Sequence, residues 1–276
     1  MSVRTMAEAI PRLVGNIVTV KGFVETVRVH KSMQFVVLRD SSGKLQVTHL
    51  KSKSEALTQL IERLTPESAI VVTGKVVEAP QVKLGGIELV PSTIEVANLA
   101  EPLPIQAGSS LEARMDYRQV SLRSPENQLI LQVQTTLERA MRQFWEQQGL
   151  VEIHSPKLLS TASESGAELF SLPYFGRTAY LAQSPQFYKQ LAIAGGFEGV
   201  FEVGPVFRAN PSHTSRHDTE FTSVDMELAW VESHETVMEF EEQFLAFILG
   251  VVVEKHGAEL EAIFGVTPEV PTTPFP

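Results

Sequence analysis

Between Val206 and Leu228 the sequence reads VFRANPSHTSRHDTEFTSVDMEL, which gathers Arg208, Arg216, His213, His217, Glu220 and Phe221. A guanidinium is a planar cation that holds phosphate oxygens through paired N–H donors, and a ring beside it offers a face to a purine. Further on, Val224, Met226 and Leu228 alternate with Ser223, Asp225 and Glu227. A strand there has one apolar face and one that presents carboxylates, the oxygen ligands that Mg2+ takes. A second group lies in YLAQSPQFYKQLA, where Gln183, Gln186 and Lys189 stand near a strand-to-helix junction. Gln186 and Lys189, three apart at a helix start, point the same way, and a lysine so placed can pair with a small anionic substrate. A third group is Arg28, Phe35 and Gln46, spread over three successive short strands. If they share one face, the ring can stack on a base while the other two hydrogen-bond to base edges or phosphate. Each group also has a plainer reading: a solvated hairpin with surface ion pairs, an exposed helix lysine, and a core phenylalanine.

The elements that must position these residues fall into two sets. Residues 17–100 read as five short strands, IVTVKGFVETVR, MQFVVLRD, LQVTHL, SAIVVTGKVVEA and IELVPSTIEVANL, with turn residues such as Ser41-Ser42-Gly43 and Gly85-Gly86 between them. One helix, near Ser54 to Leu64, separates the third from the fourth. That order predicts an OB-fold, although the pattern also suits other small β-barrels. Residues 101–125 carry three prolines and a Gly-Ser-Ser cluster and read as a linker. From Glu126 to Gln148 apolar residues recur at helical spacing, with Gly149 as the stop. Strands and helices then alternate up to an acidic helix from about His234 to His256. The expected fold class is therefore α+β, with a first domain over 1–100, a linker over 101–125 and a second domain over 126–276.

Composition limits the class of protein. With 43% hydrophobic and 20% charged residues over 276 positions, the chain has the makeup of a globular protein long enough for two cores. Zero cysteines exclude disulfides and thiolate metal sites. The start lacks the apolar run of a secretory signal, and the longest apolar run, Phe244 to Val253, is too short to span a bilayer, so a cytoplasmic location is expected. The net charge of −10 is unevenly spread. Residues 1–110 hold 12 Lys and Arg against 10 Asp and Glu, and residues 111–276 hold 11 against 23. A mildly basic first module permits nucleic-acid contact.

Taken together, these segments resemble the aspartyl-tRNA synthetases of the archaeal and eukaryotic cytosolic type, from about Asn16 to Pro276. The long helix with GLVEIHSPKLL resembles class II motif 1, whose proline, here Pro156, lies at a dimer interface. FRANPSHTSRHDTEF with TSVDMEL resembles motif 2, and QSPQFYKQ is similar to the family's aspartate-recognition motif. TASESGAELF, residues 161–170, resembles the loop that closes over the amino acid. The resemblance implies an anticodon-binding OB barrel joined to a class II catalytic domain, an antiparallel sheet flanked by helices, and an aspartate–tRNA ligase that uses ATP and Mg2+ and forms a homodimer. It implies that Arg208 binds the α-phosphate, that Phe221 stacks on adenine with Glu220 near its edge, and that Arg216 and His217 approach the phosphates. Lys189 would pair with the aspartate side chain, while Gln186 and Glu164, with Ser163 beside it, would hold the amino acid. Arg28, Phe35 and Gln46 match contacts to the central anticodon base.

Three departures from the family pattern modify these expectations. Asn210 stands where motif 2 has glutamate. Glu25 and Gln81 stand where tRNA-Asp-specific archaeal members carry tryptophan and lysine, which opens the site to tRNA-Asn as well as tRNA-Asp. The glycine-rich motif 3, with its arginine for the ATP phosphates, has no counterpart among these residues, and no arginine follows Arg216. The expectation is a truncation before motif 3, with little adenylate synthesis by residues 1–276 alone. Two alternatives stand beside the ligase: a non-catalytic paralogue that binds tRNA or a synthetase subunit, and a relative that passes aspartate to a different acceptor.

Overall fold

The computed structural model describes residues 4–106, 108–162, 168–211, 214 and 217–275. They form two compact units, Met1–Ser121 and Leu122–Pro276.

The first unit is a five-stranded barrel: β1 (Ile17–Val29), β2 (Met33–Arg39), β3 (Lys44–Leu50), β4 (Ala69–Glu78) and β5 (Ile87–Asn98), closed in the order β1-β2-β3-β5-β4. Closure uses a parallel seam between β3 and β5 at Val47↔Leu89. The alternation read from the sequence is the alternation of the barrel wall. On β2, Gln34, Val36 and Leu38 are buried while Met33, Phe35 and Val37 are half-exposed outside. Val20, Val24, Val36, Leu45, Val47, Ile70, Val72 and Leu89 fill the interior, each at most 2% exposed. Two glycines allow the wall to curve. A Cβ on Gly22 would lie 2.4 Å from the Arg39 carbonyl oxygen and one on Gly74 would lie 2.3 Å from that of Val90. Helix α1 (Glu55–Glu62) plugs one end. Its N-cap Ser54 accepts the Leu57 N–H at 3.2 Å, and the fully buried Gln34 amide donates to the Thr58 carbonyl at 3.0 Å.

Residues 101–125, expected to be a linker, include two short helices, α2 (Leu111–Asp116) and α3 (Arg118–Ser121).

The second unit opens with α4 (Pro125–Gln147), started by Ser124 as N-cap and Pro125 in the first turn and ended before Gly149 at φ +80°. Then come β6 (Val151–Glu152), β7 (Leu158–Leu159), β8 (Ser171–Tyr174), β9 (Arg177–Leu181), α5 (Gln186–Ala194), β10 (Gly199–Phe207), β11 (Glu220–Leu228) and α6 (His234–Phe264). One sheet runs β11-β10-β6, antiparallel in its main pair with β6 parallel at the side, and a smaller antiparallel sheet runs β7-β9-β8. Phe201 and Val203 from β10 pack with Ala140, Met141, Phe144 and Trp145 from α4 and Ile248 from α6. Trp145 stacks on Phe244 at 4.7 Å between ring centroids, and Phe144 meets Phe240 edge-on at 5.4 Å. Helix α6 runs eight residues past the expected end at His256. Gly257 lies inside it with helical neighbours, and the stop is Gly265 in the left-handed conformation.

Candidate functional site

The outer wall of the barrel carries the first group. Arg28 and Phe35 are direct partners in the β1–β2 ladder, so both side chains lie on one face. The Arg28 guanidinium carbon is 5.6 Å from the Phe35 ring centroid, and its Nη2 donates to Gln46 Oε1 at 3.3 Å. The three residues expected together from the sequence thus share one groove of about 550 Å³, into which Gln81 and Lys83 also project. The sequence reading missed the carboxylate behind them. Glu88 Oε2 accepts the Thr48 hydroxyl at 2.6 Å and the Gln46 amide at 3.5 Å. Gln46 is therefore oriented, with its oxygen toward Arg28 and its nitrogen toward Thr48 and Glu88. A half-exposed ring flanked by a cation and a fixed amide is a surface for stacking on a base and reading its edge.

The β10–β11 hairpin carries the second group. Val206 pairs with Phe221, Gly204 with Ser223 and Glu202 with Asp225. Because facing residues in an antiparallel ladder share a face, Phe221, Ser223, Asp225 and Glu227 form one polar surface. The other face sends Phe201, Val203, Met226 and Leu228 into the core. Arg208 follows β10 directly, its N–H donating to the Thr219 carbonyl at 2.9 Å and its guanidinium carbon 5.5 Å from the Phe221 ring centroid. Glu220 is exposed and takes the other phase of the alternation from Phe221. His217 is also exposed, its Nδ1 2.6 Å from the Thr214 hydroxyl. Asn210, half-buried, donates its N–H to the Arg208 carbonyl at 2.8 Å.

The third group meets the second. Gln186 begins α5 and Lys189 lies one turn on, both half-buried. Lys189 Nζ reaches Asp225 Oδ1 at 2.5 Å, Glu227 Oε2 at 3.1 Å and the Met226 carbonyl at 3.2 Å. Burial alone would pull its pKa down. The hydrogen bonds and charges of Asp225 and Glu227 reverse this and hold it above the ordinary lysine value. One cation thus faces two carboxylates, and any further carboxylate brought to this face would have to share Lys189 with them. A further lysine escaped the sequence reading. Lys157 hydrogen-bonds Glu202, which is 4% exposed, on the same face of β10. A lone charge in the apolar strand GVFEVGPVF was the available signal.

Pro156, between β6 and β7, is exposed. Ser163 and Glu164 of the loop and His213 and Arg216 of the hairpin lie outside the described residues. Among the described residues no three of His, Asp and Glu are gathered to hold a metal ion, and no helix is long and apolar enough to cross a membrane.

A model described as OB-fold nucleic acid binding domain matches residues 18–97, and one described as tRNA synthetases class II (D, K and N) matches residues 110–276. The aspartate–tRNA(Asp/Asn) ligase of Methanopyrus kandleri is 41% identical over 275 residues, covering 98% of this chain and 63% of that protein. The aspartate–tRNA(Asp) ligase of Pyrococcus horikoshii is 39% identical, with 98% and 62% covered. The chain therefore spans a little over 60% of the length of these curated relatives. Among solved structures, the asparaginyl-tRNA synthetase of Pyrococcus horikoshii complexed with asparaginyl-adenylate superposes with a TM-score of 0.90 at 32% identity, over 95% of this chain and 61% of that one. The aspartyl-tRNA synthetase of Entamoeba histolytica gives 0.82 at 30% identity, over 100% and 60%. With the second model matched across the whole of the β10–β11 site, and the first across the barrel groove, the chain belongs to the class II tRNA synthetases (D, K and N).

Proposed function

We propose that this protein acts as an aspartate–tRNA ligase, activating aspartate with ATP and transferring it to tRNA-Asp, and to tRNA-Asn as well. The observation that carries the reading is the meeting of Lys189 with the face of the β10–β11 hairpin that also bears Phe221 and leads into Arg208. A cation for the side chain of an acidic amino acid and a cation–ring pair for a nucleotide then stand on one surface. The aspartate α-carboxylate attacks the α-phosphorus of ATP and pyrophosphate leaves. The terminal hydroxyl of the tRNA next attacks the adenylate carbonyl and AMP leaves. Neither step needs a covalent bond to the protein, so positioning and charge neutralisation supply the rate. Arg208 neutralises the α-phosphate, Phe221 stacks on adenine with Glu220 near its edge, and His217 with Arg216 meets the outer phosphates. Gln186, Glu164 and Ser163 hold the amino acid.

Mg2+ would enter with the ATP phosphates, which leave it needing only one or two protein carboxylates, and the exposed acids beside Arg208 suit that role. Phe35, Arg28 and Gln46 take the central anticodon base, and Gln81 in the same groove fits a reading that does not separate tRNA-Asp from tRNA-Asn. A homodimer in the cytoplasm completes the proposal. Pro156 is exposed, and Val151 and Leu158 near it are 45% and 49% exposed, an apolar surface suited to a second copy.

The test is binding of unreactive sulfamoyl analogues of the two adenylates, measured by calorimetry on the purified chain. The aspartyl analogue should bind about tenfold or more tighter than the asparaginyl one. Equal affinity, or preference for the asparaginyl analogue, would overturn the aspartate assignment.

A further inference from the structure

The Glu202↔Asp225 pair sets two carboxylates directly opposite each other across the β10–β11 ladder. Like charges in that arrangement repel, and a carboxylate that is 4% exposed is costly unless its charge is met. The structure meets each charge with a different lysine. Asp225 takes Lys189, and Glu202 takes Lys157 together with the Ser155 N–H at 3.0 Å. Gly204, next on the same face, leaves room for this. A Cβ there would crowd Glu202 Oε1 at 3.2 Å and touch Lys157 Cε at 3.8 Å. Lys157 is also tied to the segment that launches α5. Its carbonyl accepts the Ala182 N–H at 3.0 Å, and the Ala182 carbonyl accepts the Phe207 N–H at 2.9 Å. The residue that neutralises Glu202 therefore also anchors the approach to Gln186 and Lys189.

We propose that Lys157 is a positioning residue for amino acid specificity: by engaging Glu202 it keeps a third carboxylate off Lys189 and sets the site's preference for an anionic over an amide side chain. The inference rests on the aspartate-activation reading and extends it to a pair that does not touch the substrate. With Lys157 in place, the pair contributes no net charge, and the polar face carries Lys189 against Asp225 and Glu227. Without Lys157, Glu202 adds a negative charge beside Asp225 and competes for the one cation left to the substrate. Without Glu202, the freed Lys157 adds a positive charge instead. The two deletions therefore act with opposite sign on the choice between aspartate and asparagine, which a purely structural role does not predict.

The experiment measures, for each variant of the full 276-residue chain, the ratio of affinities for the aspartyl and asparaginyl sulfamoyl analogues. Taking the ratio cancels a general loss of folded protein. Lys157→Met should lower the ratio about fivefold or more, as expected for one charge placed near another in a partly buried site. Glu202→Gln should raise the ratio about threefold or more, and the double variant should return it to within about twofold of the parent. Should Lys157→Met fail to fold, Glu202→Gln still decides the sign, because a ratio it leaves unchanged or lowers overturns the inference. A ratio unchanged by Lys157→Met, or lowered by both single variants alike, overturns the inference while leaving aspartate activation standing. A parent chain that does not prefer the aspartyl analogue removes the activation reading, and this inference with it.

Discussion

Lys189 is the residue on which the site's charge balance turns. Lys189→Met leaves Asp225 and Glu227, neighbours on one face of β11, without their cation, and removing one partner of a buried pair typically costs about 3–5 kcal/mol, an upper bound for this partly exposed one. We expect the variant to lose measurable affinity for the aspartyl analogue, and affinity within a few-fold of the parent would refute the assignment. Its effect on stability has a sign. Because the folded pKa is raised, the pairing stabilises fully below the unfolded lysine value and is lost as pH rises through the folded one. On the barrel, Phe35→Ala should weaken tRNA-Asp transcript binding by about 1–3 kcal/mol at fixed salt and leave analogue binding unchanged. Asp40 gives a test in acid. Burial pushes its carboxyl pKa up, but the Ser42 hydroxyl and the N–H groups of Ser42, Ala7 and Gly43 outweigh that and hold it below the ordinary value. Its contribution is present above the unfolded value and fades as pH falls through the folded one. Asp40→Ala should therefore cost about 1–3 kcal/mol near pH 7 by denaturant titration, with the gap to the parent closing toward pH 3.

At the scale of elements, the barrel and the hairpin depend on backbone approaches that side chains would block. Gly74 stands where the β4–β5 register shifts, and an added Cβ meets the Val90 carbonyl and the Pro91 backbone, neither of which can swing aside. Gly149 differs: nothing lies within 4 Å of its Cβ position, and only its φ of +80° resists a side chain. Gly74→Ala should therefore destabilise by about 1–3 kcal/mol or more, through overpacking alone. Gly149→Ala should cost about 1–2 kcal/mol, the usual cost of a left-handed residue. Unfolding midpoints in urea rank the two, and the reverse order would show that the β4–β5 contact relaxes freely. The same logic explains the hairpin. Met226 and Leu228 sit against α4 and α6 only if the register with β10 is kept, and a slip of one residue would turn Asp225 and Glu227 into the core.

At the scale of the molecule, the two apolar cores have no residue in common among the described residues. One draws on Ile10 through Ile94, the other on residues from Leu137 through Val251. Each unit thus buries its own apolar surface, the property that lets a domain fold alone. Residues 1–121 expressed separately should unfold cooperatively and retain the transcript affinity that Phe35→Ala removes. A non-cooperative transition, or lost affinity in the isolated unit, would show that the barrel needs the second unit. The charge division matches these roles, with the basic excess on residues 1–110 and the acidic excess beyond them. A unit that meets a phosphate backbone gains from a basic excess.

The sequence by itself determined whatever depends on near neighbours and on solvent at one side. Period-two alternation placed the five barrel strands to within a residue or two, because a strand's faces are fixed once one of them is buried, but that Arg28, Phe35 and Gln46 share a face was settled only by the register between strands. Helical spacing gave α4, and Gly149 its end. Helix α6 continues past the expected end because glycine weakens a helix by only about 1 kcal/mol, which the packing of Val252 and its neighbours outweighs at Gly257. Only the tertiary structure decided the charge pairs and the hydrogen bond that holds Glu88. Lys189 and Asp225 are 36 residues apart, Lys157 and Glu202 are 45 apart, and Thr48 and Glu88 are 40 apart. Whether a lysine on α5 is solvated or clamped between two carboxylates depends on where α5 packs against β11. That position is set by the burial of apolar faces on other elements, and no local pattern around Lys189 records it.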